Sequence, residues 1–369
     1  MRAHKPKILL AGGGTAGHVE PALAVGHWIA ENIGDAKIEF LGTAQGLENR
    51  LVPEAGFTLN AIAKAPLPRS LRPTAFVWPW KFSKSIIQTW RAMSGVDLLI
   101  GFGGYVCSAA YIVARAKRIP IIVHEANAVP GWANKLGARL GAKVLISFES
   151  SREFGKRWTD AQLVGIPLRK EILSTSALDL STRAALRIKK AQAWGFNPDR
   201  PIVLVFGGSQ GSQHMNKVIS ESVNLVTSHG IQVVHAVGRT NVLPEETANY
   251  KPVPYFEDLP QAYCAADLVI CRSGAVTCHE LMAIGSYALL VPLAIGNGEQ
   301  RLNGQELVDC GAAVMIENEK FTEEWLAKNL LGLIAAGKKF NSTSHKAQVP
   351  LDAVNKIGQL IAGTLEGRG

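Results

Sequence analysis

Two groups of polar side chains in the last third of the chain have the types and spacing of a nucleotide-binding site. Glu280 follows an apolar run at 268–271 and a turn at 272–274, and its carboxylate could accept hydrogen bonds from both hydroxyls of a ribose. The second group, after an apolar run at 288–291, consists of Asn297, Glu299, Gln300 and Asn303. In a strand–helix–strand unit both groups would lie at one edge of the sheet. The pattern predicts a pocket for a nucleotide that carries a hydroxyl-rich group.

A simpler interpretation of Glu280 is structural. Thr277 and Glu280 have the Ser/Thr-x-x-Glu spacing of a capping box, in which two side chains satisfy free N–H groups at a helix start. The helix predicted at 277–284 would begin with this pair. A cap does not explain the polar residues after the next strand, and those residues favour the nucleotide pocket.

Three glycine-rich loops, at 12–18, 101–105 and 207–211, each follow an apolar run and precede a helical pattern. Such loops let backbone N–H groups and the positive end of a helix approach a phosphate. The first contains the Gly-x-Gly-x-x-Gly of dinucleotide sites, but the strand predicted at 37–41 ends in Gly42 and Thr43, where such sites need an acidic residue. We therefore expect the loops to hold phosphates or a diphosphate without a metal.

Two candidates for a general base accompany these loops. His18 projects from the first loop, and Glu125 follows His124 after the strand predicted at 121–123. A base of this kind takes a proton from an attacking hydroxyl, and the sequence leaves both candidates open. No metal is expected here, because His124-Glu125 lacks the second histidine of a zinc-protease motif. The five cysteines form no Cys-x-x-Cys pair and are interpreted as reduced core thiols.

The elements that must position these residues alternate between strands and helices. At 369 residues the chain exceeds what one core usually supports, so two doubly wound α/β domains are predicted. We place the first at 1–165 and the second at 166–345, with a last helix near 350–366 that packs back on the first. Further predicted strands lie at 7–11, 97–100, 202–206, 232–236 and 255–256, and further helices at 21–32, 108–117, 215–226 and 259–265.

Composition limits the class of protein. The content of 47% hydrophobic and 19% charged residues is typical of a folded, soluble protein. No apolar run is long enough to span a membrane or to form the core of a signal peptide, so a cytoplasmic location is expected. The net charge of +9 indicates an anionic partner. Because no nucleic-acid-binding motif is present, an anionic membrane surface or a phosphorylated substrate is favoured.

The segment at 66–91 is the best candidate for a membrane contact. Residues 55–96 contain no aspartate or glutamate, while Lys64, Arg69, Arg72, Lys81, Lys84 and Arg91 are all basic. Within them stand the aromatic residues Phe76, Trp78, Trp80 and Phe82. Aromatic rings surrounded by cations suit a bilayer interface with anionic headgroups. The alternative is that these rings form the core of a helical hairpin.

Seven motifs follow one another along the chain. They are Gly-Gly-Thr-Ala-Gly-His at 13–18, Gly-Phe-Gly-Gly-Tyr at 101–105, His-Glu-Ala-Asn at 124–127, Gly-Ile-Pro-Leu-Arg at 165–169, Gly-Gly-Ser-Gln-Gly at 207–211, Cys-Arg-Ser-Gly-Ala-Val-Thr-Cys-His-Glu at 271–280 and Glu-Gln-Arg-Leu-Asn at 299–303. In composition and order these motifs resemble those of the MurG family of glycosyltransferases. The resemblance implies a GT-B fold, in which two Rossmann-like doubly wound domains face each other across a cleft. It also implies inverting transfer of N-acetylglucosamine from UDP-N-acetylglucosamine to the C4 hydroxyl of an undecaprenyl-linked muramyl-pentapeptide, lipid I, in peptidoglycan synthesis.

The resemblance assigns roles to individual residues. The catalytic candidates are His18 and Glu125. The implied donor-binding residues are Thr15, Asn127, Arg169, Ser209, Phe256, Ala275, Val276, Thr277, Glu280 and Gln300. The implied acceptor-binding residues are Gly14, Gly17, Gly103, Gly104 and Tyr105. Phe76, Trp78, Trp80, Lys81, Phe82 and Lys84 would contact the cytoplasmic face of the plasma membrane as a peripheral protein does. No cofactor, metal or nucleic acid is implied.

Three other functions account for parts of the sequence. An NAD-dependent oxidoreductase explains the first glycine loop but leaves the polar groups around Glu280 and Gln300 without a role. A non-catalytic membrane or nucleic-acid binder explains the charge but not three phosphate-type loops. Another GT-B transferase that acts on a lipid acceptor remains the alternative nearest to the MurG family.

Overall fold

The computed structural model describes residues 5–65, 74–293, 298–342 and 349–367, apart from the side chains of 74–76 and 342. The chain forms two compact units, the first made of Met1–Arg169 with Pro350–Gly369 and the second of Lys170–Val349. The chain passes from one unit to the other after Arg169, four residues beyond the position expected from the sequence.

Each unit contains one parallel sheet. The strands of the first unit are β1 (Lys7–Ala11), β2 (Lys37–Gly42), β3 (Thr58–Ala61), β4 (Leu98–Gly101), β5 (Ile121–Glu125), β6 (Lys143–Ile146) and β7 (Gln162–Leu163). Those of the second are β8 (Ile202–Phe206), β9 (Gln232–Ala236), β10 (Tyr250–Val253), β11 (Leu268–Cys271), β12 (Ala288–Leu290) and β13 (Ala313–Met315). The central strands β4, β8 and β11 are apolar runs because both faces of a parallel sheet are covered by helices.

The helices alternate with these strands. They are α1 (Ala16–Asn32), α2 (Glu48–Glu54), α3 (Thr74–Ala92), α4 (Tyr105–Ala116), α5 (Trp132–Arg139), α6 (Lys156–Thr159), α7 (Lys170–Ser176), α8 (Leu180–Ala193), α9 (Gln213–Ser228), α10 (Leu259–Ala265), α11 (Ala275–Ile284), α12 (Glu299–Asp309), α13 (Glu323–Ser342) and α14 (Ala353–Glu366), with short 3₁₀ helices at Glu149–Phe154 and Asn318–Lys320. Two doubly wound α/β units are thus confirmed.

The strand order locates the site in each unit. The first sheet has the order β3-β2-β1-β4-β5-β6-β7 and the second β10-β9-β8-β11-β12-β13. In both orders the chain reverses direction across the sheet between two central strands, β1 and β4 in the first and β8 and β11 in the second. Ligands bind beyond the carboxyl ends of such strands. All three glycine loops and the turn at 272–274 follow these four strands.

The last helix belongs to the first unit. Ile357 and Ile361 of α14 are fully buried in one core cluster with residues of α1. The indole N–H of Trp28 on α1 donates to Asn355 Oδ1 at 2.8 Å, and Gly358 leaves room for the indole ring. Burial of each isoleucine contributes about 1.5–3 kcal/mol, which holds the end of the chain on this unit.

The strand predicted at 255–256 is wrong. The strand of this region is β10, which ends at Val253, before the predicted position, and pairs with β9. Pro252 and Pro254 argued against a strand at this position, because proline is rarely found in a central strand. β10 is an edge strand, where a missing N–H group is tolerated.

Four predicted helix starts are also too late, and one of them is that of α9, which begins at Gln213 rather than at 215. α1 begins at Ala16 with Pro21 inside it, and α4 begins at Tyr105, directly after its glycine loop. α11 begins at Ala275 with Gly274 as its N-cap, so Thr277 and Glu280 do not form a capping box. In each case the glycine loop, or for α11 the turn at 272–274, leads directly into the helix, which brings the helix N-terminus next to it.

Candidate active site

His18 is held by the first glycine loop of the first unit. Its Nδ1 lies 3.0 Å from the Gly13 carbonyl oxygen and 3.3 Å from Thr15 Oγ1. Because a carbonyl oxygen only accepts hydrogen bonds, this contact places the ring proton on Nδ1. The lone pair is then on Nε2, which can accept a proton from a substrate.

The second glycine loop packs against the first so closely that only glycine fits. A Cβ on Gly103 would lie 2.9 Å from His18 Nε2, and one on Gly104 would collide with the Gly13 carbonyl. Both residues have positive φ angles, 104° and 82°, which favour glycine. Tyr105 follows, and its hydroxyl donates to Thr43 Oγ1 at 3.2 Å. Burial raises the pKa of Tyr105, so the phenol is neutral near pH 7.

Glu125 is an internal support of the loop that follows β5. It is 2% exposed, and four donors occupy its carboxylate. Oε1 accepts from the backbone N–H of Asn127 at 2.9 Å and from its side chain at 3.3 Å. Oε2 accepts from Gly131 N–H at 2.8 Å and from Asn134 Nδ2 at 2.9 Å. Sequence reasoning did not single out Asn134, because an asparagine inside a helical pattern carries no sign of this contact.

His124, next to Glu125, is fully buried. Its Nε2 lies 2.9 Å from the Gly165 carbonyl and 3.3 Å from Ser147 Oγ. Burial lowers the pKa of His124 to about 4. The ring is therefore neutral near pH 7, and it ties the end of β5 to the segment that leaves β7.

A cavity of about 600 Å³ lies at the carboxyl end of the second sheet. Gly207, Gly208 and Gly211 of the third glycine loop line it, together with Arg272, Gly274 and Thr277 of the turn into α11. The other lining residues are Phe206, Ser212, Gln213, His214, Leu293, Gln300, Asn318 and Glu319. Both α9 and α11 begin at this cavity, so their positive ends favour an anionic ligand there.

Arg272 adds a full positive charge to this wall, and sequence reasoning did not assign it. One guanidinium nitrogen donates to the carbonyl oxygens of Val291 and Pro292 at 2.9 and 3.1 Å, and the other donates to Ser212 Oγ at 2.7 Å. Ser212 is the N-cap of α9 and accepts from Met215 N–H at 3.4 Å. The arginine thus orders the start of the helix that borders the cavity.

A chain of contacts links the cavity to Glu280. The Phe206 ring lies 6.2 Å from the Phe256 ring and 6.2 Å from the Tyr263 ring, measured between centroids. The Tyr263 hydroxyl donates to Glu280 Oε2 at 3.1 Å. Glu280 is 3% exposed and lies within α11. Phe256 and Tyr263 therefore lie next to Phe206, which lines the cavity, and Glu280 is connected to the cavity wall through Tyr263.

The other residues predicted to bind the donor substrate are distributed over both units. Thr277 and Gln300 line the cavity, where the Gln300 Oε1 accepts from Leu293 N–H at 2.9 Å. Ser209 lies in the third glycine loop, and Ala275 and Val276 form the first turn of α11. Thr15, Asn127 and Arg169 belong to the first unit, where Arg169 Nε lies 4.0 Å from Glu20 Oε2. Asn297 is outside the described residues.

Comparison with known proteins decides the family. The Glycosyltransferase family 28 N-terminal domain matches residues 8–146, and the Glycosyltransferase family 28 C-terminal domain matches residues 202–357. A Frankia casuarinae protein is 44% identical over 91% of this chain and 89% of its own, and one from Corynebacterium efficiens is 41% identical over 96% of each. Both are named UDP-N-acetylglucosamine--N-acetylmuramyl-(pentapeptide) pyrophosphoryl-undecaprenol N-acetylglucosamine transferase. The crystal structure of Acinetobacter baumannii MurG has a TM-score of 0.72 and 28% identity, covering 98% of this chain and 100% of its own.

The chain belongs to the MurG family of glycosyltransferases.

Membership of the MurG family agrees with the two-sheet architecture. The N-terminal match covers β1 to β6, and the C-terminal match begins with β8. It ends at residue 357, inside α14, which the structure packs in the first unit. The expected family and the two Rossmann-like doubly wound domains of a GT-B enzyme are thereby confirmed.

Two buried histidines make the stability of this MurG-family protein depend on pH. His235 on β9 contacts the Tyr250 hydroxyl and Asn216 Oδ1, and burial lowers its pKa to about 4, as it does for His124. An unfolded histidine takes up a proton near pH 6.5. Between about pH 4 and pH 6.5 the unfolded chain binds more protons than the folded protein does. The contribution of these two histidines to the free energy of unfolding is therefore complete above about pH 6.5 and is lost as the pH falls toward 4.

We expect the melting temperature to fall when the pH is lowered from about 7 to about 5. His235→Gln should show a smaller fall than the wild type, because one buried proton-accepting group is gone. His229→Gln, at an exposed position, is the control and should follow the wild type. Thermal scans monitored by circular dichroism measure this, and equal falls in wild type and His235→Gln would contradict it.

Proposed function

We propose that this protein transfers N-acetylglucosamine from UDP-N-acetylglucosamine to the C4 hydroxyl of the muramyl sugar of lipid I, forming lipid II in peptidoglycan synthesis. The names of its relatives support this reaction. The observation that carries it is the cavity of the second unit, which joins a glycine loop, two helix N-termini and a buried arginine. That combination suits a nucleoside diphosphate that departs with negative charge.

The donor site stabilises the leaving group. As the bond from the anomeric carbon to the phosphate breaks, positive charge develops on the sugar and negative charge on UDP. Backbone N–H groups of the loop at 207–211, the start of α9 and the charge of Arg272 are in place before the reaction. Preorganised donors of this kind need no reorganisation when charge develops, which lowers the barrier.

The nucleoside end of the donor is proposed to lie toward Phe206. Backbone groups of Phe256 would meet the uracil, and the Glu280 carboxylate would accept hydrogen bonds from the ribose hydroxyls. Gln300 and Asn127 would contact the sugar, while Arg169, Ser209, Ala275, Val276 and Thr277 would lie along the phosphates and the base. The contacts of Phe206 with Phe256 and with Tyr263, the partner of Glu280, support this orientation.

His18 is the proposed general base. Its Nδ1 proton is directed to the Gly13 carbonyl, which leaves the Nε2 lone pair for the C4 hydroxyl of the acceptor. Glu125 is less suited to this role, because four donors already occupy its carboxylate. Gly14, Gly17, Gly103, Gly104 and Tyr105 would surround the acceptor. Direct attack by this hydroxyl inverts the anomeric centre and gives a β(1→4) linkage.

The proposed function is tested by acceptor-dependent release of UDP. Purified protein is incubated with UDP-N-acetylglucosamine, with and without a lipid-linked muramyl-pentapeptide, and free UDP is measured. We expect release only when the acceptor is present. Equal release in both samples would indicate a hydrolase, and no release in either would reject the transferase.

We also propose that α3 docks the protein reversibly on the cytoplasmic face of the plasma membrane. None of the described helices is long and apolar enough to cross a bilayer. Val77, Trp80, Lys84, Ile87 and Arg91 are exposed at intervals of three or four residues, so they share one face of α3. The Trp80 side chain is 77% exposed. An exposed tryptophan among cations suits an anionic interface.

The opposite face of α3 is packed against protein. The ring of Trp78 stacks on that of Phe82 with 4.9 Å between centroids, and its indole N–H donates to the Ala65 carbonyl at 3.3 Å. Phe82 in turn packs against the core around α4. Trp80, Lys81 and Lys84 therefore remain as docking candidates with exposed side chains. The side chain of Phe76 and the whole of Arg69 and Arg72 lie outside the described residues.

The triple variant Trp80→Ser, Lys81→Gln, Lys84→Gln is expected to bind anionic vesicles more weakly than the wild type does. Each basic residue near such a surface contributes about 1 kcal/mol, screened within a Debye length, so wild-type binding should also weaken as salt rises. Co-sedimentation with phosphatidylglycerol vesicles at low and high salt measures this. Turnover of a short-chain, water-soluble acceptor should be retained.

A matched control removes similar groups from the second unit. Leu331→Ser, Lys328→Gln, Lys338→Gln changes one exposed apolar and two exposed basic side chains of α13. This control should sediment like the wild type. Equal sedimentation of all three proteins would mean that docking does not depend on α3.

A further inference from the structure

The carboxylate of Glu48 is buried beneath the first glycine loop, at the start of α2. Its exposed fraction is 0%. Oε1 accepts hydrogen bonds from the backbone N–H and the hydroxyl of Thr43 at 2.9 and 2.8 Å, and Oε2 accepts from Gly14 N–H at 3.0 Å. All three partners donate, which is the environment of an ionised carboxylate, because that form only accepts hydrogen bonds.

Three glycines make room for this carboxylate. A Cβ on Gly13, Gly42 or Gly46 would collide with the side chain of Glu48. The segments that carry these glycines come from the ends of β1 and β2 and from the turn before α2. The position of the carboxylate is therefore fixed by close packing as well as by its hydrogen bonds.

One peptide group connects this carboxylate to His18. The N–H of Gly14, which donates to Glu48, and the C=O of Gly13, which accepts from His18 Nδ1, are the two ends of the same peptide bond. Two hydrogen bonds therefore connect the Glu48 carboxylate, through the peptide group, to the imidazole of His18. Adjacent hydrogen bonds of this kind polarise one another, so a negative charge at one end makes the Gly13 oxygen a stronger acceptor.

We propose that Glu48 is a positioning residue for the transfer reaction, which acts on His18 through the peptide between Gly13 and Gly14. It holds the proton of the neutral ring on Nδ1 and stabilises the imidazolium that forms when Nε2 takes the proton of the attacking hydroxyl. The transferred proton stays on Nε2, and none passes to Glu48. This inference rests on the proposed role of His18 as the base.

The other ionisable groups around His18 do not replace this charge. On β5, His124 is neutral near pH 7 because burial lowers its pKa to about 4, and Glu125 is directed to the N–H groups of its own loop and of Asn134. On α1, Glu20 lies 4.0 Å from Arg169. At the start of α4, Tyr105 has a raised pKa through burial. The Glu48 carboxylate is connected to the ring by the hydrogen bonds of the peptide between Gly13 and Gly14.

Glu48→Gln keeps the shape of the side chain and removes its charge. We expect kcat to fall roughly 10- to 100-fold, the range known for groups that orient metal-bound histidines, with the KM for UDP-N-acetylglucosamine unchanged. Without the carboxylate the ring is protonated less readily, so the acidic limb of the kcat–pH profile should move to lower pH. A purely structural role would lower activity without moving this limb.

Glu54→Gln is the matched control, because Glu54 is an exposed residue of the same helix and pairs with Arg50 at the surface. It should keep the kcat and the pH profile of the wild type. A folded Glu48→Gln protein with wild-type kcat and an unmoved acidic limb would overturn the inference, while the transferase function would stand on the activity of the wild type.

A second measurement does not depend on activity or on the folding of that variant. Nitrogen NMR of wild-type protein with ¹⁵N-labelled histidine shows which ring nitrogen of neutral His18 carries the proton, and His18→Asn identifies the signal by its disappearance. We expect the proton on Nδ1. A proton on Nε2 would overturn the inference, whether or not transfer is observed.

Discussion

Replacing His18 with asparagine is expected to lower kcat by about two to four orders of magnitude, the contribution of a positioned general base. The asparagine amide can still donate to the Gly13 carbonyl in place of Nδ1, but nothing replaces Nε2 as a proton acceptor. The variant therefore separates catalysis from support of the loop. Steady-state kinetics with both substrates at saturation measure the effect.

The donor site is the control for this variant. His18 belongs to the first unit and the cavity to the second, so UDP should bind His18→Asn with wild-type affinity in calorimetry. Near-normal turnover of His18→Asn would contradict the assignment and would transfer the role to Glu125 or to the substrate itself. Loss of UDP binding would show that the substitution disturbs more than the base.

The second large effect is expected from Glu280→Gln, in the KM for the donor. A charge-assisted hydrogen bond to the ribose contributes about 1.5–3 kcal/mol, which corresponds to a rise in KM of roughly 10- to 150-fold. Glutamine keeps the volume of this buried side chain and can still accept from the Tyr263 hydroxyl, so the fold should be retained. Initial rates over a range of donor concentrations measure the change.

A substrate lacking one ribose hydroxyl makes this test specific. The wild type should bind the 2′-deoxyribose analogue of the donor more weakly than the donor itself, and Glu280→Gln should discriminate less between them. Such a cycle isolates the contact between the carboxylate and the hydroxyl. Tyr263→Phe, which removes only the phenolic hydroxyl, is the control and should keep the discrimination. Equal discrimination by the wild type and Glu280→Gln would mean that Glu280 has a structural role only.

The sequence predicted the strands next to His18 in the first unit and next to the cavity in the second unit, because buried parallel strands are recognisable as apolar runs. The runs at 202–206, 232–236 and 268–271 have the predicted bounds in the structure. β10 was missed because Pro252 within it and Pro254 just after it argue against a central strand, and the sequence does not show that this strand lies at the edge. Whether a strand is central or at the edge depends on pairing over long distances in the chain.

The role of Glu48 could not be predicted from the sequence. A glutamate in the first turn of a helix is ordinary, because it interacts favourably with the helix dipole at the surface. Its burial depends on Gly13 and Gly42, which come from other parts of the chain. The sequence also could not distinguish the buried face of α3 from the exposed face. The aromatic residues at 76–82 include both Trp78, which packs on Phe82, and the exposed Trp80.

Transfer itself is tested most directly with a donor labelled in both parts, with ¹⁴C in the N-acetylglucosamine and ³H in the uridine. After incubation with the lipid-linked muramyl-pentapeptide, the lipid phase and the aqueous phase are separated and counted. We predict that ¹⁴C enters the lipid phase in equal amount to the ³H recovered as UDP in water. Release of ¹⁴C into water as free N-acetylglucosamine, or recovery of both labels in intact donor, would contradict the central claim that this protein is an N-acetylglucosamine transferase for a lipid-linked acceptor.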